Sequence, residues 1–136
     1  MYFHQHHLNN DSIKENLSLA SDMFDKIIEY KKSVNDDIEL WRKAWEKASV
    51  DEYIACYTEN ALQQGRRGRD NIKRQKELLW TSVKPVSVAF TGLRVMPNRK
   101  GIQVDMTQIY KDSTGKTESG LKVLLLEREG DHWKIA

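Results

Sequence analysis

Apolar side chains recur every three or four residues over the first third of the chain, the spacing of a helix with one buried face. The first stretch predicts a helix over residues 11–33, which begins at Asp11 or Ser12, with Glu15 completing a capping box with Ser12. Its apolar positions are Ile13, Leu17, Ala20, Phe24, Ile27 and Ile28. The opposite face is charged, so we expect the apolar face to pack on the domain or on a partner chain.

Two more helices are predicted before the middle of the chain. The first covers residues 36–48, begins at Asn35 or Asp36, and places its apolar side chains on one face. Those side chains are Ile38, Trp41 and Trp45. Ser49 then begins a short helix with the sequence VDEYIACYT.

The segment 58–68 is polar and contains glycine, which leaves room for at most one short strand around Ala61–Gln63. Gly68 and Asp70 open a further helix with the sequence NIKRQKELLWTSV, and Pro85 ends it.

After Pro85 the apolar period changes from about 3.6 residues to about 2, which is typical of strands. A first strand runs to about Val95, a turn with Pro97 and Gly101 follows, and a second strand alternates as VDMTQIY. A long strand over 118–128 and a final WKIA strand complete the pattern. Helices followed by antiparallel strands predict an α+β fold with the helices on one face of the sheet.

Length and composition restrict the class of protein. The chain has 136 residues, which suits a single domain, and one cysteine, Cys56, which excludes a disulfide framework and a cysteine-rich zinc site. The sequence shows no membrane span and no export signal, so it is cytoplasmic as written. His4, His6 and His7 stand close together in residues 1–10, but we interpret this stretch as a flexible tail and expect no metal and no cofactor.

Charge is unevenly placed along the chain. Residues 11–60 hold 7 basic and 12 acidic side chains, whereas residues 61–85 hold 7 basic and 2 acidic ones. The candidate anion-binding residues in this basic segment are Arg66, Arg67, Arg69 and Arg74. The alternative is a solvated helix face that pairs with the acidic segment. Nucleic acid is disfavoured as a partner, because no aromatic side chains interleave with the basic run.

Several segments resemble nuclear transport factor 2-like domains, which are also called SnoaL-like or cystatin-like. The resemblance rests on WRKAWEKASVDEYIACYTENA, on GRRGRDNIKRQKELLW, and on VDMTQIYKDSTGKTESGLKVLLLEREGDHWKI. It covers residues 34–136, with the helix at 11–33 as an extra element. The variant that it resembles most is the accessory domain of bacterial L,D-transpeptidases and related envelope proteins. The chain is then expected to be an excised or shortened domain, which is periplasmic if it is cut from an envelope protein.

The resemblance implies a cone, in which a strongly bent antiparallel sheet wraps around helices and encloses a pocket that is open at one end. It also suggests a homodimer formed through the sheet. This fold carries both enzymes and binding domains, so it does not decide the function.

Five polar or aromatic side chains are candidates for lining that pocket: Tyr53, Tyr57, Gln108, Tyr110 and Lys122. Gln108 and Tyr110 share a strand face with Val104 and Met106, and Lys122 alternates in the same way with Leu124. The alternative is that the aromatic rings are core and that Lys122 reaches water at a strand end.

The candidates for acid–base catalysis are few. Asp105 should point away from the Val104 face, and His132 lies in a turn. Cys56 has no evident partner base and is interpreted as a small core residue. We therefore predict a non-catalytic module that binds a small ligand or a partner protein, and that positions a cell-envelope enzyme. The alternatives are a small SnoaL- or ketosteroid-isomerase-like enzyme acting on a hydrophobic substrate, and a pure interaction scaffold that swaps its first helix onto a neighbour.

Overall fold

The computed structural model describes residues 10–136, so the histidines at positions 4, 6 and 7 lie outside the described residues. Its helices are α1 (Asn10–Glu46), α2 (Val50–Ile54) and α3 (Arg69–Ser82). Its strands are β1 (Leu62–Gln63), β2 (Arg66–Arg67), β3 (Pro85–Asn98), β4 (Gly101–Asp112), β5 (Thr117–Glu129) and β6 (His132–Ile135). The predicted α+β class is confirmed, and none of the described helices combines the length and the hydrophobicity needed to cross a bilayer.

Helix α1 corrects the prediction of two helices separated near residue 35. The structure has one helix through this point, and Asn35 and Asp36 are exposed helical residues instead of caps. Neither glycine nor proline occurs between Ser33 and Ile38, so nothing forces a break. The apolar spacing also continues through Val34 and Ile38, which are buried.

The chain divides into two units, one up to Lys32 and one from Ser33 onward. In the first unit, no residue from Asn10 to Lys32 is buried. The apolar side chains of this stretch are 45–65% exposed, and they are Ile13, Leu17, Leu19, Met23, Phe24, Ile27 and Ile28.

In the second unit, β3, β4, β5 and β6 form an antiparallel sheet in that order. The β3–β4 register shifts near Pro85 and again between Thr91 and Arg94, where Gly92 has a φ of 64°. Such irregularities bend a strand and increase its twist, and here they contribute to the curvature of the sheet. Met106 pairs with Lys122 and Val104 with Leu124, so these side chains share one face, which we call the inner face.

The core of this unit lies between the inner face and the helices. Its buried apolar side chains include Val34, Ile38, Trp41, Ala44, Trp45, Ile72, Trp80, Val88, Ile102, Val104, Met106, Leu124 and Leu126. A polar clamp joins α1 to the sheet. Arg42 Nη1 donates to the Val88 carbonyl at 3.0 Å, and Glu46 Oε2 accepts from the Val88 amide at 2.9 Å.

A small hairpin replaces the single short strand predicted around Ala61–Gln63. Leu62 pairs with Arg67 and Gln63 with Arg66, so both sides of the turn are strands. Gln64 and Gly65 have φ values of 47° and 83°, which is the combination that closes a two-residue hairpin. The prediction was wrong because glycine was interpreted as a sign of irregular loop. The hairpin places Gln63 beside the ends of α2 and β6.

Candidate functional site

Aromatic rings line the space between α1 and the inner face. The Trp41 ring stacks on Phe90 of β3 at a centroid distance of 5.2 Å, and the Trp45 ring stacks on Tyr110 of β4 at 5.3 Å. Trp41 and Trp45 are one helical turn apart, so α1 presents both rings to the sheet. These contacts place Tyr110 against the aromatic core.

Two phenols from α2 and the residues that follow it form a buried hydrogen-bonded pair. Tyr57 donates to the Tyr53 hydroxyl at 2.7 Å, and Gln63 Nε2 donates to both hydroxyls, at 2.8 Å to Tyr53 and 3.0 Å to Tyr57. Burial raises the pKa of both tyrosines, which keeps the phenols neutral. Gln63 Oε1 is buried and lacks a partner among the described residues, so one hydrogen-bond acceptor of this network is unused.

Two lysines reach the same interior. Lys76 of α3 is 9% exposed, and its Nζ lies 5.5 Å from the Tyr53 ring centroid and 5.9 Å from that of Trp80. Lys122 of β5 places its Nζ 5.5 Å from the Trp41 centroid and 5.7 Å from that of Trp45. Each ammonium therefore faces two aromatic rings.

Neither ammonium has a carboxylate partner among residues 10–136. Burial lowers the pKa of Lys76 to about 8, and the neighbouring cations Arg66 and Lys122 contribute to this lowering. Burial also lowers the pKa of Lys122. The described interior is therefore cationic and lacks an internal counter-charge.

A cavity of about 260 Å³ opens beside this cluster, and we call it the mouth pocket. Its polar lining comes from Tyr57, Gln63, Gln64 and Lys122, and its apolar lining from Leu62, Val123, Leu124, Leu125, Ile135 and Ala136. Gln108 pairs with Phe90 and Gly120 across the sheet, and its buried Oε1 has no partner among the described residues. Of the five predicted pocket residues, Tyr57 and Lys122 line the mouth pocket. Tyr53, Gln108 and Tyr110 lie in the adjacent interior and are not part of its lining.

The four arginines do not converge on one site. Arg69 Nε donates to the Tyr57 carbonyl at 2.8 Å, and its guanidinium pairs with Glu129 at 3.5 Å. Arg67 is exposed and donates to the Asn60 carbonyl, while Arg74 contacts Asn71 at the surface. Arg66 is the one of the four whose charge helps to lower the pKa of Lys76.

Asp105 and His132 lie outside the mouth pocket. Asp105 pairs with Arg94 and Val123 across the sheet, on the face opposite Met106, and accepts from Gln103 Nε2 at 2.9 Å. His132 is largely exposed, and its Nδ1 lies 2.9 Å from Asp37 Oδ1. The other Asp37 oxygen accepts from the Trp133 amide at 2.7 Å, so this carboxylate joins α1 to the start of β6.

A second cavity of about 320 Å³ lies next to this pair and is lined by Leu40, Ala44, Cys56, Trp133 and Lys134 among others. Burial raises the pKa of the Cys56 thiol to about 11, so it is not a poised nucleophile. Among residues 10–136, no cluster of three or more His, Cys, Asp or Glu side chains could hold a metal ion.

The predictions from the sequence did not include the burial of Lys76 or the hydrogen bonds made by Gln63 and Asp37. Lys76 had a detectable signal, because it lies four residues from both Ile72 and Trp80 and so falls on the buried stripe of its helix. Gln63 and Asp37 had none, since each depends on a partner that only the tertiary fold brings near.

The family described as the Cds6 C-terminal NTF2-like domain matches residues 33–136. The chain belongs to this family. The NTF2-like resemblance found in the sequence is therefore confirmed at the level of the family and of the fold.

Solved structures of other proteins show the same fold. Bd1075 of Bdellovibrio bacteriovorus is 20% identical with a TM-score of 0.70, and the match covers 79% of this chain and 39% of Bd1075. A single-residue variant of Rv3472 of Mycobacterium tuberculosis, described as of unknown function, is 16% identical with a TM-score of 0.72, covering 83% of this chain and 71% of that one.

An NTF-2 like protein of unknown function from Shewanella oneidensis is 19% identical with a TM-score of 0.60, covering 77% of this chain and 93% of that one. No curated protein sequence matches the chain. The chain thus spans about two-fifths of the length of Bd1075, and at these identities the likeness concerns the fold alone.

Proposed function

We propose that this NTF2-like chain is a non-catalytic binding module that holds a small ligand in the mouth pocket. One observation carries the proposal. Polar groups of Tyr57, Gln63 and Lys122 meet an apolar wall at an open cavity of about 260 Å³, which is the combination typical of a ligand site. Further support comes from Gln63 Oε1, a buried acceptor at this cavity that has no partner in the described residues.

The chemistry of the pocket favours binding over catalysis. None of the described side chains that line it is a carboxylate or an imidazole, the usual bases for proton transfer at neutral pH. Asp105 lies on the opposite face of the sheet, and His132 is held by Asp37 next to a different cavity. The enzymatic alternative, a SnoaL- or ketosteroid-isomerase-like activity, therefore lacks a base from the described residues at the place where a ligand fits.

The binding proposal is tested by a fragment screen followed by nuclear magnetic resonance of the labelled protein. We expect the amide signals of Gln63, Lys122 and Leu124 to shift with ligand. Leu62→Trp should abolish the shifts, because Leu62 lines the mouth and is 51% exposed, so a larger ring can narrow the opening without disturbing the core.

Leu78→Trp is the matched control, since Leu78 is an exposed leucine of α3 away from the pocket. Shifts confined to other surfaces, or equal binding by both tryptophan variants, would contradict the proposal. Turnover of an isomerase or dehydratase substrate that is lost in the Leu62→Trp variant would favour the enzyme instead.

We also infer an accessory role within a larger protein, with the module positioning a cell-envelope enzyme. The match covers only 39% of Bd1075, which supports a role as one domain of a larger protein. The proposed location in the cell envelope rests on the sequence resemblance. Co-sedimentation with purified cell-wall sacculi tests the second point. Retention that the Leu62→Trp variant loses would support it, and no retention would remove the envelope role while leaving the ligand site intact.

Self-association through the outer face of the sheet is part of the same proposal. Leu121, Val123 and Leu125 of β5 and Ile109 of β4 share this face and are 91%, 58%, 47% and 40% exposed. Val123 and Leu125 also border the mouth pocket, so the patch adjoins that cavity. A contiguous apolar patch of this kind is typical of a protein–protein contact. The expected partner is a second copy of the chain.

A further inference from the structure

We propose that the ligand of the mouth pocket is a small carboxylic acid with an apolar body, and that the ammonium group of Lys122 holds its carboxylate. This inference rests on the proposed function and names the chemical class of its ligand.

The first argument is the missing counter-charge. Lys76 is nine-tenths buried, Lys122 is largely covered, and neither has an ion-pair partner among the described residues. Burying one unpaired charge is costly, and burying two of the same sign close together is more so. An anion that enters the mouth pocket and contacts Lys122 would offset the charge of this lysine.

Cation–π contacts alone do not satisfy the hydrogen-bond donors of the two lysines. The aromatic rings cover one side of each ammonium, but a lysine has three N–H donors and a ring face accepts poorly in comparison with a carboxylate. The contacts instead hold the two lysine stems in fixed positions. Lys122, which lines the mouth pocket, is therefore preorganised for an acceptor that the described side chains do not provide.

The second argument concerns the body of the ligand. The mouth pocket is lined by Leu62, Leu124 and Ile135, which favour an apolar chain or ring. Its volume of about 260 Å³ lies just below the range of roughly 300–1,000 Å³ that is usual for drug-sized ligands. A short fatty or aromatic acid fits these two conditions. A phosphate-rich ligand fits less well, because it would leave the apolar lining of Leu62, Leu124 and Ile135 without apolar contacts.

Isothermal titration calorimetry with octanoate and octanamide tests the inference, because the two probes share a body and differ in charge. We expect octanoate to bind about tenfold to a hundredfold more tightly than octanamide, the range for losing a hydrogen bond to a charged group. Lys122→Met should reduce octanoate affinity by a similar factor, whereas Lys122→Arg should retain most of it. Lys111→Met is the control, since Lys111 is exposed on the outer face.

Circular dichroism spectra establish that each variant is folded. Equal binding of octanoate and octanamide would overturn the carboxylate inference and leave the binding module standing. Inorganic phosphate that binds as tightly as octanoate would overturn the requirement for an apolar body. Failure of both octanoate and octanamide to bind, in a protein that still binds fragments at the mouth, would also overturn this inference alone. If no fragment binds at the mouth pocket either, both this inference and the proposed binding function are refuted.

Discussion

Replacing Lys76 with methionine should make the unliganded protein more stable. Methionine keeps the length and the apolar stem of lysine but removes the buried charge. Burial lowers the pKa of Lys76 from 10.5 to about 8. Because a tenfold change in a proton equilibrium corresponds to about 1.4 kcal/mol, the charged form costs the folded state about 3 kcal/mol near neutral pH. The ring contacts with Tyr53 and Trp80 return about 1 kcal/mol. The expected gain in the free energy of unfolding is therefore about 2 kcal/mol.

The direction of the pH dependence follows from the same pKa. The folded-state pKa of Lys76, about 8, lies below the unfolded value of 10.5. Below the folded value both states are protonated and the full cost is present. Between the two values the unfolded state binds more protons than the folded state, so stability rises with pH. The advantage of Lys76→Met should therefore be greatest near pH 7 and should shrink by more than half at about pH 9.5.

Urea unfolding followed by tryptophan fluorescence measures this difference. Parallel slopes for wild type and variant would show that both unfold over the same surface. Lys111→Met, which removes an exposed charge, should change the free energy of unfolding by less than about 0.5 kcal/mol. A Lys76→Met variant that is less stable than wild type at neutral pH, or a difference that does not vary with pH, would refute the view that Lys76 is buried, charged and unpaired.

Three further predictions concern other parts of the chain. Asp37→Ala should lower the free energy of unfolding by about 1–3 kcal/mol in a urea titration, because it removes the carboxylate that accepts from the Trp133 amide and contacts His132; an unchanged midpoint would contradict this. Leu121→Asp should shift sedimentation equilibrium toward monomer, whereas Leu78→Asp should not; equal association of both variants would exclude the outer face as the contact. A chain that begins at Ser33 should have a melting temperature within about three degrees of that of the full chain, since no residue from Asn10 to Lys32 is buried; an unfolded product would contradict the division into two units.

The class of the fold could be predicted from the sequence because the apolar period changes sharply at Pro85. Alternation through Val104, Met106 and Lys122 also placed these side chains on one face, which the cross-strand pairing shows. The break near Asn35 was predicted wrongly, because residues with a strong preference for caps also occupy exposed positions inside long helices.

The candidate site was predictable only in part. Positions on the inner strands follow from alternation, but the roles of Gln63 and Asp37 depend on contacts with Tyr53 and Trp133 that are distant in sequence. Lys76 was hidden for a different reason. It stands in a segment with several exposed basic side chains, so composition indicated a solvated face, whereas the helical spacing from Ile72 to Trp80 indicated burial. In such a segment the periodicity is the better guide.

The register shift between Thr91 and Arg94 also bears on aggregation. In the order of the described sheet, β3 is an edge strand and could accept a strand from another molecule. The shift divides this edge into two short regular runs, and Pro85 and Pro97 withhold backbone donors near its ends. An incoming strand would find too few consecutive hydrogen bonds to extend the ladder, so the irregularity that helps to bend the sheet also protects its open edge from fibre-like growth.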